Sequence, residues 1–227
     1  MKKTLQTANN LHLNEEKIDQ LCAFGDALIE KNQVMNLTAI TEPKAVATLH
    51  FLDCIALLDA VDFKDKSVVD IGCGAGFPSV PLKIAEPSMD VTLLDSLAKR
   101  MTWLEEILPQ IGVEATYKVG RAEELVKDCR ESYDIATSRA VARLNLLCEL
   151  CLPYVKVGGY FLAMKGADAV VEMDEAQTAI TTLGGKVESI YKYPVDGTTH
   201  RVVVISKIHA TPDKYPRRFP KIKQNPL

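Results

Sequence analysis

Residues 70–76 read Asp-Ile-Gly-Cys-Gly-Ala-Gly, with Val68-Val69 before them and Phe77-Pro78 after. This is a strand ending in a glycine-rich turn that opens a helix, and glycine there lets the backbone turn tightly and approach a ligand without a Cβ collision. Such a turn serves the binding of a nucleotide or nucleoside. The dinucleotide fingerprint Gly-x-Gly-x-x-Gly needs glycine at 77, where Phe77 stands, and a P-loop needs a Gly-Lys-Ser/Thr that does not follow. Asp95, in Leu93-Leu94-Asp95, comes 25 residues after Asp70, a separation that suits an acid binding ribose hydroxyls. Carboxylates at Asp70 and Asp95 repel a pyrophosphate and welcome a cationic sulfonium, so S-adenosylmethionine is expected in preference to NAD. The competing reading is a tight strand-to-helix connection that holds no ligand.

Val119-Gly120-Arg121-Ala122-Glu123 offers backbone amides and a carboxylate that can frame an adenine, although an acid opening a helix also compensates the helix dipole. Further along, Thr137-Ser138-Arg139-Ala140-Val141-Ala142 contains neither an Asn or Asp followed by Pro-Pro-aromatic nor a Pro-Cys pair. Amine methylation and C5 methylation of a pyrimidine are therefore disfavoured, the latter because it requires a nucleophile. Guanine N7 is already nucleophilic, so orientation and desolvation suffice for it. Cys148-x-x-Cys151 lies in the apolar run from Leu144 to Leu152 without two further ligands at zinc spacing, so it reads as core and no metal is expected. His50 and Asp53, one helical turn apart, read as an acid–base pair or as a polar stripe on a helix.

The elements that position these residues follow from periodicity. Ile18, Leu21, Cys22, Gly25, Leu28 and Ile29 recur at helical spacing behind an Asn14 cap with Glu15 and Glu16 in the first turn. A second helix is expected from Thr41-Glu42-Pro43, with Thr41 as its cap, to about Ala60. From Ser67 onward, short apolar runs alternate with helical lengths, which implies right-handed β-α-β units and a mainly parallel sheet. The last two runs are separated only by Pro194–Thr199 with an Asp196-Gly197 turn, so they form an antiparallel hairpin. The expected fold class is α/β, the layout of class I S-adenosylmethionine-dependent methyltransferases. It has a Rossmann-like, seven-stranded, mainly parallel sheet closed by an antiparallel hairpin. Expected boundaries are a helical N-terminal extension over 1–60, a methyltransferase domain over 61–208 and a basic C-terminal tail over 209–227.

The chain has 227 residues, 47% of them apolar and 25% charged, which fits one domain plus an appendage and excludes disordered, collagen-like and disulfide-scaffold classes. With no apolar run behind the first lysines and none of membrane-spanning length, a cytoplasmic protein with six reduced cysteines is expected. The net charge of −3 conceals an asymmetry: Lys207 to Leu227 carries six Lys and Arg against Asp213 alone, and residues 1–206 sum to −8. A Pro-broken basic tail reads either as an arm that contacts phosphates or as a solvated, loosely ordered terminus. A monomer is sufficient.

Seven motifs in order carry a resemblance. They are Asn32–Thr38 (N-x-x-x-NLT), His50–Asp53 (HFLD), Asp70–Leu82 (DIGCGAGFPSVPL), Leu93–Arg100 (LLDSLAKR), Gly120–Glu124 (GRAEE), Ser138–Ala142 (SRAVA) and the Tyr215–Leu227 tail (YPRR…NPL). Together they resemble the bacterial 16S rRNA guanine-N7 methyltransferase family, also called glucose-inhibited division protein B, over nearly the whole chain. The resemblance implies methyl transfer from S-adenosylmethionine to N7 of one guanine in 16S rRNA, with the rRNA expected as substrate within the small ribosomal subunit. It implies cofactor contacts at Gly72, Phe77, Ala122, Glu123 and Arg139, to which the fold argument adds Asp95. It implies an RNA side lined by Asn36, His50, Lys99, Arg100, Lys165 and Arg201 and by the tail bases Arg217, Arg218, Lys221 and Lys223. The alternative is a non-catalytic RNA-binding or ribosome-assembly factor that retains a cofactor pocket; a methyltransferase acting on protein or a metabolite is disfavoured by the basic tail.

Overall fold

Seven strands form one sheet in the order β3-β2-β1-β4-β5-β7-β6. They are β1 (Ser67–Ile71), β2 (Asp90–Asp95), β3 (Thr116–Val119), β4 (Tyr133–Arg139), β5 (Val155–Lys165), β6 (Gly185–Val195) and β7 (Thr198–Lys207). The structure is a computed structural model that describes residues 1–8, 13–139 and 141–227. The pairs β1·β2, β1·β4, β2·β3 and β4·β5 are parallel, whereas β7 runs antiparallel to both β5 and β6. The expected layout is thus observed, including the hairpin, whose turn residues Asp196 and Gly197 both take positive φ.

Strand residues alternate between two apolar layers. Val202 and Val204 join one core, Val203 and Ile205 the other. The first layer is helical and comes mainly from the N-terminal third: α1 (Lys2–Gln6), α2 (Glu15–Met35), α3 (Pro43–Ala45), a π-helical stretch over Val46–Leu52, and α4 (Asp53–Ile55). These pack with α5 (Ser79–Ala85) and α6 (Ala98–Ile107). The second layer holds α7 (Ala122–Leu125), α8 (Leu144–Cys151), α9 (Ala169–Glu175), α10 (Gln177–Thr182) and α11 (Phe219–Gln224).

Asn14 caps α2 as expected, its Oδ1 accepting from the Lys17 amide at 2.9 Å. The next helix starts differently from the expectation: Glu42, not Thr41, is the cap, and its Oε2 accepts from the Ala45 amide at 2.7 Å. Phe24 and Phe51 bury fully beside Phe77 and Trp103 in one aromatic cluster. Residues 1–8 and 13–60 therefore cover one face of the sheet and share its core. Cys148 and Cys151 lie fully buried in the other core.

Candidate active site

In the strand order, β1 lies between β2 and β4, so the chain leaves β1 and β4 toward opposite sides and opens a crevice at their carboxyl ends. A cavity of about 450 Å³ occupies it, lined by the glycine turn, the end of β2, residues 120–123, Arg139, Leu150 and Phe219. Gly72, Gly74 and Gly76 all have positive φ. A Cβ on Gly72 would stand 2.6 Å from the Val141 side chain, whereas one on Gly74 would meet only Arg100, at 3.8 Å, and would project into open space. Gly74 therefore keeps the cradle clear.

Asp95 locks this turn. Its Oδ2 accepts from the Gly74 amide at 2.9 Å and its Oδ1 from the Leu97 amide at 2.8 Å. Each oxygen keeps a further lone pair for a ligand hydroxyl, so the carboxylate suits a ribose. Glu123 also lines the cavity, its side chain 7% exposed and 3.2 Å from the Arg121 guanidinium. Asp70 behaves otherwise than the charge argument requires. It is fully buried, does not line the cavity, and accepts from the Ser79 amide at 3.0 Å. Burial raises its pKa to about 8, so its protonated form is favoured at neutral pH and it adds little attraction for a sulfonium. Its work is to tie the turn to α5.

Arg139 forms the partition between this cavity and a second, of about 430 Å³, lined by Asp53, Lys165, Glu172, Tyr193 and His200 among others. The guanidinium lies 4.6 Å over the Phe77 ring, 3.1 Å from His50 Nδ1 and 3.5 Å from Asp53 Oδ2. Arginine only donates, so His50 Nδ1 accepts and its proton sits on Nε2, which donates to Thr38 Oγ1 at 2.8 Å. Burial, reinforced by the positive charge of Arg139, lowers the His50 pKa to about 4. Asp53 accepts from Tyr193 Oη at 2.8 Å and from His200 Nδ1 at 2.7 Å. His50 and Asp53 are thus not an acid–base pair; Arg139 bridges them.

A model of the family described as rRNA small subunit methyltransferase G matches residues 17–200. The chain belongs to that family. The protein of that name from Alkaliphilus oremlandii is 47% identical over 96% of this chain and 94% of its own, and that from Bacillus subtilis is 45% identical over 96% and 93%. Among solved structures, YcgJ of Bacillus subtilis covers 71% of this chain and all of its own at a TM-score of 0.56 and 14% identity, a likeness of fold. The enzyme is accordingly an S-adenosylmethionine-dependent methyltransferase. The large cavity fits that cofactor, with an open glycine cradle, an acid with spare lone pairs and a second acid beside the 120–123 turn.

All six residues expected at the cofactor, Gly72, Phe77, Asp95, Ala122, Glu123 and Arg139, line the large cavity of this methyltransferase. Those expected on the RNA side are scattered. Asn36, Lys99, Arg218, Lys221 and Lys223 are exposed, while Arg100 lines the cavity. His50 is buried among Thr38, Phe77 and Arg139. Lys165, 7% exposed, pairs with Glu172 at 2.8 Å and donates to the Ala142 carbonyl. Arg201 donates to the Thr199 carbonyl, and its Nε is buried without a partner. Arg217 turns away from solvent: it binds the fully buried Glu149 through its amide, Nε and Nη2, the closest contact being 2.6 Å. Sequence reasoning missed Phe219, Tyr193 and His200, because sheet register and the path of the tail bring them to the site.

Proposed function

We propose that this methyltransferase acts on N7 of one guanine of 16S rRNA, presented by the small ribosomal subunit in the cytoplasm, and that it works as a monomer. The observation that carries the reading is the pair of cavities meeting at Arg139, one suited to the methyl donor and the other open to an acceptor base. When bound, the cofactor supplies an electrophilic methyl group. Guanine N7 has an in-plane lone pair and no proton to lose, so no general base is needed. What this chain supplies is position and exclusion of water. Arg139 is fixed on three sides by Phe77, His50 and Asp53, so it presents a rigid cationic wall between the cavities. Asp53, His200 and Tyr193 form a hydrogen-bonded group that shapes the acceptor side.

For RNA, the support is a basic row across the hairpin. Lys165 stands opposite Arg201 in one register and Lys192 opposite Arg201 in the next, so all three occupy one face of the sheet. Glu172 answers the Lys165 charge at 2.8 Å, while Arg201 and Lys192 offer donors to an RNA phosphate. Exposed Lys99, Arg218, Lys221 and Lys223 extend the basic surface. We assign the crevice at the carboxyl ends of β1, β2 and β4 to catalysis, and the basic row and the outer face of the tail to RNA.

The test is transfer of radiolabelled methyl from S-adenosylmethionine to small subunits that lack the modification, followed by mapping of the labelled base. Label on a guanine N7 is expected. Label elsewhere, or none in protein that binds the cofactor, overturns the assignment of the acceptor.

A further inference from the structure

The segment after β7 is not a free arm. Thr211, Tyr215 and Ile222 are buried, Arg130 donates to the Tyr215 and Thr211 carbonyls at 2.8 and 2.7 Å, and the Thr211 amide donates to Glu131 Oε1 at 2.7 Å. Buried Lys207 reinforces the attachment by donating to the Leu152 carbonyl at 2.6 Å and to Thr211 Oγ1 at 2.8 Å. The segment then closes on α8 through Arg217 and Glu149 and begins α11 with Phe219. Phe219 lines the large cavity together with Ala122 and Leu150, and its ring lies 4.3 Å beneath the Arg121 guanidinium.

We infer that Phe219 is a cofactor-binding residue and that the C-terminal segment is a wall of the cofactor pocket. The inference rests on the large cavity being the S-adenosylmethionine site. An aromatic ring in a cavity wall offers a purine both apolar area and a matching quadrupole, and the cation above this ring restrains it in place. The Phe219 ring shares the cavity wall with Ala122 and Glu123 and touches the 120–123 turn through Arg121, and the amides and carboxylate of that turn suit an adenine. The C-terminal segment thereby has two duties at one short helix: Phe219 toward the nucleoside, and the capping Arg218 with Lys221 and Lys223 exposed to solvent.

The test is calorimetric titration of full-length protein with S-adenosylhomocysteine and with methylthioadenosine, which shares only the nucleoside end. Phe219→Ala is expected to weaken both by the same factor, about five- to tenfold, and Phe219→Leu by less. In Phe219→Trp, S-adenosylhomocysteine is expected to change the emission beyond any change in the wild type, whose single tryptophan is the buried Trp103. Unchanged affinity for both ligands in Phe219→Ala with its melting temperature retained overturns the inference. Should that variant not fold, unchanged affinity in Phe219→Leu with no added emission change in Phe219→Trp overturns it equally. Failure of the wild type to bind either ligand instead removes the cofactor assignment of the cavity.

Discussion

Arg139 donates to Nδ1 of His50 at 3.1 Å, an arrangement that only a neutral imidazole permits. Two residues far apart in sequence, one on the N-terminal helical layer and one at the end of β4, are joined in this way at the partition between the two cavities. Protonation of His50 would set two cations against each other in a buried place.

Stability should therefore fall in acid through this histidine. The folded pKa is about 4 against an ordinary 6.5, so between these values the unfolded chain binds the extra proton and stability drops as pH falls. The loss from this group amounts to at most about 3 kcal/mol by pH 4. Urea unfolding at pH 7 and pH 4.5 should show a larger loss in the wild type than in His50→Gln, which cannot titrate. Equal losses in the two proteins would show that His50 is not the responsible group.

The Arg217–Glu149 pair makes the tail part of the fold. Glu149 is fully buried and Arg217 is 14% exposed at its side chain, so Arg217→Ala leaves an uncompensated buried carboxylate. A cost of about 3–5 kcal/mol is expected, read as a shift in the denaturant midpoint. Adding Glu149→Leu to Arg217→Ala should recover much of it, since the stranded charge is then gone.

Asp95 and Glu123 should act on the cofactor and not on RNA. In Asp95→Asn one acceptor facing a backbone amide becomes a donor, so the lock on Gly74 or Leu97 is lost and S-adenosylhomocysteine affinity should fall by about tenfold or more. Glu123→Ala should weaken it also. RNA affinity measured by filter binding should stay within about twofold of the wild type in both. Parallel loss of both affinities in folded protein would refute this separation.

The exposed tail bases should show the opposite pattern. Replacing Arg218, Lys221 and Lys223 together by glutamine should lower RNA affinity and reduce the slope of log K against log salt by up to about 2. Cofactor affinity should be retained. Arg217 is left out because its guanidinium is committed to Glu149.

Much of this enzyme is determined by local pattern. The apolar runs at β1 to β7, the Asn14 cap and the Asp196-Gly197 turn follow from short-range chemistry, so strand succession, hairpin and glycine turn are readable in the chain alone. The glycine turn and Asp95 are legible from the same pattern, because the parallel strands deliver their carboxyl ends to one crevice, whereas Phe77 and Arg139 are expected there only through the family resemblance. Only the tertiary structure decided which charges remain available. Asp70 and Asp95 look alike as strand-end acids, yet burial takes the first out of the cavity and favours its protonated form while two amides hold the second at the cavity. Arg217 and Arg218 are neighbours of one type, yet the first meets Glu149 and the second meets water. Burial and partners depend on contacts between residues distant in sequence, and these set whether an ionisable side chain binds a ligand, binds RNA or holds the fold together.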